Sequence, residues 1–318
     1  MVHLRIVAPR DTAHAALALL EASDSVINVI HLHDVARKPE GDAILCDVAR
    51  EDASVVIGDL KGLGIHHDGT IAVEFVDTAI SDAADRAERQ AAGAPADAVI
   101  WEEVAERTSE ESAISATYLV FIVLAALIAS VGIYLNSPIL IVGAMVVGPE
   151  FGPIAGFCVA TVQRRPDLAV TSFVALAVGF PLAIGAVVLS SLVFRATNVT
   201  PDAFTAASHS LSETIANPDF FAAFVAFCAG IAGMLSLTTA KSGALIGVLI
   251  SVTTIPAAAN VGVSAAYGDW HSFGGSIGQL GLNIASLLVA GILTLSVQRA
   301  LFVRRRALHD AQRAATAR

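Results

Sequence analysis

The chain has 318 residues, of which 55% are hydrophobic and 15% charged, with a formal net charge of −10 at pH 7. The charges crowd before about Glu111, so the acidity describes a soluble part and says little about partners. Cys46, Cys158 and Cys228 are far apart, which excludes a disulfide framework and zinc-finger spacing and leaves them as packing residues.

The opening "MVHLRIVAPRDTAH" lacks the apolar core of a signal peptide, so the first domain is expected on the cytoplasmic side. "HLRIVAP" alternates as a strand. "DTAHAALALLEAS" reads as a helix with Asp11 as its N-cap and Ala13, Ala16, Leu17 and Leu20 on one face. "SVINVIHLHDVA" and "DAILCDVA" are strands joined by the turn "RKPEGD". "EDASVVIGDLKGLG" is a second helix, with Ala53, Val56, Ile57, Leu60 and Leu63 along one side and Gly62 and Gly64 at its end. "GTIAVEFVD" is the last strand. The βαββαβ order predicts a soluble α+β ferredoxin-like domain over 1–80. Its helices cover one sheet face. The other keeps Ile27, Val29 and Ile44 or Cys46 partly apolar, a surface suited to a homo-oligomer.

Residues 81–115 form a linker. "DAADRAERQAAGAP" is interrupted by Gly93 and Pro95, and "DAVIWEEVAERTSEESAIS" is an acidic helix lying on the membrane surface or entering the first span. The region 116–300 then reads as a bundle of six transmembrane helices, near 117–135, 138–162, 167–194, 219–240, 243–267 and 274–298. Residues 301–318 are a basic tail suited to anionic lipid headgroups rather than nucleic acid. Arg164, Arg165, Lys241 and the arginines after Arg299 fall on one side, and only Arg195 on the other. Both termini are therefore expected in the cytoplasm of a bacterial inner membrane.

"SPILIVGAMVVGPEFGPIAGFCVATVQRRPD" and "SGALIGVLISVTTIPAAANVGVSAAYGDW" share a pattern of opening Ser, Leu-Ile and Gly, mid-span Pro and closing Asp. Aligning Pro153 with Pro256 also carries the first span onto the fourth. Three spans per unit would make a 3+3 inverted repeat with broken second and fifth helices, a pattern that points to a transporter's binding site. Proline removes a backbone donor, and freed groups are tolerated in lipid only inside protein or beside a wet cavity. Gly148, Gly152 and Gly156 recur every four residues and admit a close neighbour.

These two segments resemble the bacterial and archaeal membrane proteins grouped as domain of unknown function 389. The resemblance covers the six spans, and the soluble domain loosely. It implies the architecture and no activity. The family's first motif often has Ser and Leu where this chain has Gly148 and Glu150, which argues against a family-wide role for this carboxylate.

Glu150, between Pro149 and Gly152, is an ionisable group at membrane depth, rare and usually functional. It reads as a proton or cation site, or else as a wet helix cap. Thr253, Thr254 and Asn260 around Pro256 offer oxygens to an ion or polar solute, or glue helices. Glu150 and Asn260 are expected to lie close together. Gln279, Asn283 and Ser286 share one face of the sixth span. Ser236, Thr238, Thr239 and Lys241 close the fourth, with Lys241 marking the interface. His31 and His33 share a strand face, and His66 and His67 precede the last strand. They read as solvated or structural, with a metal site across an oligomer contact as the alternative. No P-loop, GxSxG or HExxH is present, so neither an enzyme nor a cofactor is expected. The reading is a transporter of an unidentified small solute or ion, with proton coupling as one option and a cytoplasmic regulatory or oligomerisation domain. The alternatives are a membrane-anchored ligand sensor and an ion channel gated by that domain.

Overall fold

The computed structural model describes residues 1–76, 79–91, 98–200, 209–239 and 253–316. Two compact units result: Met1–Glu103 with Thr238, Thr239 and the C-terminal stretch from Leu301, and Val104–Leu237 with the described residues of Lys241–Ala300.

The first unit is a four-stranded antiparallel sheet of order β2-β3-β1-β4. In β1 (Val2–Ala8), period-two alternation buries Val2, Leu4, Ile6 and Ala8 and leaves Arg5 exposed. β3 (Glu40–Val48) sets Cys46 opposite Leu4 and Ile44 opposite Ile6. β4 (Thr70–Phe75) lies on the other side of β1, and β2 (Val26–Arg37) is the edge beside β3. Helices α1 (Arg10–Glu21) and α2 (Arg50–Gly62) bury Ala13, Ala16, Leu20, Ala53, Val56, Ile57 and Leu60 against that face. A one-turn helix, α3 (Ile65–Asp68), carries His66 and His67.

Two expectations change. Pro9, not Asp11, precedes the first helix, and Asp11 sits in its first turn. Ile44 and Cys46 are fully buried on the helix-covered face, because antiparallel register gives them the parity of Leu4 and Ile6. Burial pushes the Cys46 thiol up to about 12, so it remains a packing group. The exposed apolar residues of the edge strand are instead Ile30, Leu32 and Val35. α4 (Asp82–Gln90) is capped by Ser81, whose Oγ accepts from the Ala83 amide. α5 (Trp101–Ser112) begins where the Trp101 amide donates to Ser54 Oγ at 3.0 Å.

The second unit is helical. α6 (Ala116–Tyr134), α9 (Pro166–Ala196), α11 (Phe220–Thr238) and α13 (Trp270–Thr316) include four segments long and apolar enough to cross a membrane. α7 (Pro138–Val147) and α8 (Phe151–Gln163) bend by 50° at their break and make a fifth if the pair is one span. The segment expected at 243–267 begins outside the described residues and enters them before α12 (Thr254–Tyr267). A short helix, α10 (Ser210–Ala216), was not foreseen in the long loop.

This unit is a membrane protein by its inside-out distribution. Phe121, Val170, Phe173, Leu189, Phe221 and Leu293 are exposed, whereas Glu150, Asn260, Gln279 and Asn283 are buried. Its core is rich in small residues: Ala125, Ala126 and Ala129 of α6 and Ala257, Ala258 and Ala259 of α12. With apolar surface already solvated by lipid, close backbone approach is what holds such helices together. A Cβ on Gly152 would come within 2.9 Å of Glu111, and one on Gly156 within 2.7 Å of Ser172 Oγ, so both glycines mark tight contacts.

Candidate functional site

The break between α7 and α8 positions Glu150. Gly148 ends α7 in an extended conformation, and Pro149 has no amide proton to continue the ladder. Glu150 stands at the N-cap position of α8, yet its side chain makes no capping bond. It turns inward instead and is 4% exposed, so it does not cap α8. Oε1 accepts a hydrogen bond from Thr254 Oγ1 at 2.7 Å, while Oε2 has no partner among the described residues. Gly148 makes room for the carboxylate, since a Cβ there would collide with Oε2.

Thr254 is the first residue of α12, and Pro256 stands third in that helix, as Pro153 stands third in α8. Both prolines are buried, and Pro149 is half-buried. The neighbouring Thr253 carries a second polar run: Asn283 Nδ2 donates to Thr253 Oγ1 at 2.7 Å, and Gln279 Nε2 donates to Asn283 Oδ1 at 3.1 Å. Gln279 Oε1 has no partner among the described residues. Two consecutive threonines therefore connect two buried acceptors, Glu150 Oε2 and Gln279 Oε1, each short of a donor.

Asn260 is used differently. Its Nδ2 donates to the Ser212 carbonyl at 3.2 Å and to Ser276 Oγ at 2.8 Å, and its Oδ1 accepts from Ser212 Oγ at 2.8 Å. It joins α10, α12 and α13, and its hydrogen bonds go to Ser212 and Ser276 rather than to Glu150. Six residues separate it from Thr254, about 9 Å along a helix axis.

A buried carboxylate with one unmatched oxygen costs free energy until a proton, a cation or a donor reaches it. Hydroxyl and amide oxygens beside it are hard donors that suit a proton or a small cation. The arrangement can therefore bind and release positive charge where two helix ends meet.

Residues 145–289 match the family described as "Domain of unknown function (DUF389)". Over this stretch the chain is similar to that family of uncharacterised proteins. The matched stretch contains Glu150, Thr253, Thr254, Asn260, Gln279 and Asn283 and omits the first expected span and the soluble unit. An uncharacterised protein of Methanocaldococcus jannaschii, MJ0678, is 24% identical over 215 residues, covering 63% of this chain and 62% of its own length. No solved structure matches the chain. A match to a family of unknown function assigns no activity, so function has to be argued from the buried groups themselves.

Of the other expected residues, Ser286 is half-buried beside Asn283's face of α13. Ser236 and Thr238 are buried near the end of α11, Thr239 follows that helix, and Lys241 lies outside the described residues. Arg306 of the basic tail donates to Asp59 of α2 at 3.1 Å, so this arginine has a protein partner. In the first unit, His31 and His33 both meet Asp42, which the sequence reading missed. The signal for it was strand parity across the β2–β3 hairpin. Burial of Asp42 works to raise its pKa, but the bonds and charges of His31 and His33 together hold its carboxyl below the ordinary value. Ser212 and Ser276 were likewise missed, because nothing local marks a serine as the partner of a distant asparagine.

Proposed function

We propose that the chain is an integral membrane transporter of a small solute or ion, with six spans and with Glu150 as the group that binds a proton or small cation. The observation that carries this reading is the bond from Thr254 to Glu150. It joins the first turns of two short helices whose prolines occupy the same third position. A simple anchor has no need of a broken helix whose buried carboxylate meets the start of a second short helix. The matching prolines support the inverted repeat, and the strand order of the first unit supports a ferredoxin-like module. That module serves as a regulatory or oligomerisation domain on the cytoplasmic side, a placement of both termini that the arginine distribution supports. The arginine bias and the family resemblance favour a bacterial inner membrane.

The test is ion flux in proteoliposomes under proton, sodium and potassium gradients, comparing the wild type with Glu150→Gln. Flux that the substitution abolishes supports the reading. Equal flux in the variant removes Glu150 from the mechanism, and no flux of any of the three ions through correctly inserted protein removes ion transport for these ions.

A further inference from the structure

We infer that His31, His33 and Asp42 form a binding site for a divalent transition-metal ion of the zinc type in the first unit. This goes beyond the transport reading and does not rest on it.

Parity and register make the cluster. His31 and His33 are two apart on β2 and so share a face, and His31 stands opposite Ile44 of β3. Asp42, two residues before Ile44, projects to that same face and is 2% exposed. His31 Nε2 lies 2.8 Å and His33 Nδ1 3.2 Å from one and the same oxygen, Asp42 Oδ2. The three donor atoms lie within 4.8 Å of one another. The two rings meet edge to face at 77°, with centroids 6.0 Å apart, so both reach Asp42 without stacking on each other.

The carboxylate is also held in place. Its other oxygen, Oδ1, accepts from the Asp34 amide at 2.9 Å, and Arg10 Nε donates to Asp34 Oδ1 at 2.8 Å. Such outer bonds orient metal ligands in known sites. Asp34 has a left-handed backbone, φ 58, inside the register shift between Leu32 and Ala36. Bulges recur beside functional sites because they redirect side chains.

Two imidazoles and a carboxylate plus one open position is a zinc donor set. Bond lengths of about 2.0–2.2 Å around a tetrahedral ion put donors roughly 3.3–3.5 Å apart. The two N···Oδ2 distances of 2.8 and 3.2 Å lie within about 0.1–0.7 Å of that spacing, and the His33 side chain is 68% exposed, which gives it room to adjust. The ion takes the place of the protons now shared with Oδ2, and the exposed side of His33 leaves the fourth position to water.

The test uses the full-length protein in detergent, with its affinity tag removed and metals stripped by a chelator. Co²⁺ is titrated by visible absorption and Zn²⁺ by calorimetry. One ion per chain is expected, with a rise in Tm. His33→Ala, at an exposed position that tolerates change, should weaken binding at least about tenfold, the lower end for loss of even an outer partner. His31→Ala and Asp42→Asn should do the same, while His66→Ala/His67→Ala binds as wild type does. If His33→Ala fails to fold, His33→Gln replaces it. Absence of stoichiometric binding to the wild type, or unchanged binding in both the His31 and His33 variants, overturns the site.

Discussion

Thr254 donates to Glu150 across 2.7 Å, joining positions 104 residues apart in the chain. Each residue sits at the start of a short buried helix, and α8 follows the break at Gly148 and Pro149. Helix N-termini have unpaired amides and a positive end, so a carboxylate is favoured there. Glu150 thus combines a favourable field with one unmatched oxygen. It is held firmly by Thr254 while keeping capacity for one further positive partner.

Thr254→Val keeps the shape of the side chain and removes the donor. Both Glu150 oxygens are then left without partners, and stability should fall by about 1–3 kcal/mol. In a Glu150→Leu background the same change should cost clearly less, since there is no carboxylate to strand. Thermal unfolding of the four proteins in detergent gives the coupling directly. Equal losses in both backgrounds would show that the bond contributes nothing.

Gly148→Ala tests the space kept for the carboxylate. The added methyl would meet Glu150 Oε2 and approach Ile255 Cγ1 within 2.8 Å. Gly148 has φ −65, so backbone strain plays no part. Overpacking of this kind costs roughly 1–3 kcal/mol. Gly143→Ala is the control, because nothing lies within 4 Å of its new Cβ and alanine is the better helix former. A lower Tm for Gly148→Ala and an unchanged or higher one for Gly143→Ala is the expected pair.

The sequence made the break legible because proline and glycine act locally: Pro149, Gly148 and Gly152 interrupt a helix whatever surrounds them. Strand order was legible for the same kind of reason, through period-two alternation. Partners were not. Asn260 is the residue the sequence reading sets beside Glu150, and the phase and rise of α12 bring Thr254 there instead. Asp42 looked like part of a turn until register placed it across from the two histidines. The open face of the sheet was misassigned at Ile44 and Cys46 because parity within a strand does not tell which face the helices choose.

Asn260→Ala should separate packing from transport. It removes three hydrogen bonds that tie α12 to Ser212 and Ser276. Interhelical bonds of this sort contribute about 0.6–1.7 kcal/mol each. A loss of roughly 1–3 kcal/mol in stability is expected, with the ion preference of any flux unchanged. A changed preference measured in proteoliposomes would instead place Asn260 on the solute path.

Glu51 gives the first unit a pH dependence of known sign. It is 8% exposed, and neither carboxylate oxygen has a partner among the described residues. Burial raises its pKa above the ordinary 4.5, and the nearby Glu88 and Asp52 carboxylates push the same way. The folded state therefore holds this proton more tightly than the unfolded chain does. Its contribution favours folding below the ordinary carboxylate range, declines as pH rises from there through the raised folded value, and stays unfavourable above it. Glu51→Gln removes the charge while keeping the shape. The variant should be more stable than the wild type at neutral pH by about 0.5–2 kcal/mol, the usual gain from relieving one such conflict. The difference should shrink toward zero as pH falls below the ordinary carboxylate value. Tm measured for both proteins between acid and neutral pH checks this, and a constant offset across the range would assign the effect to packing rather than to charge.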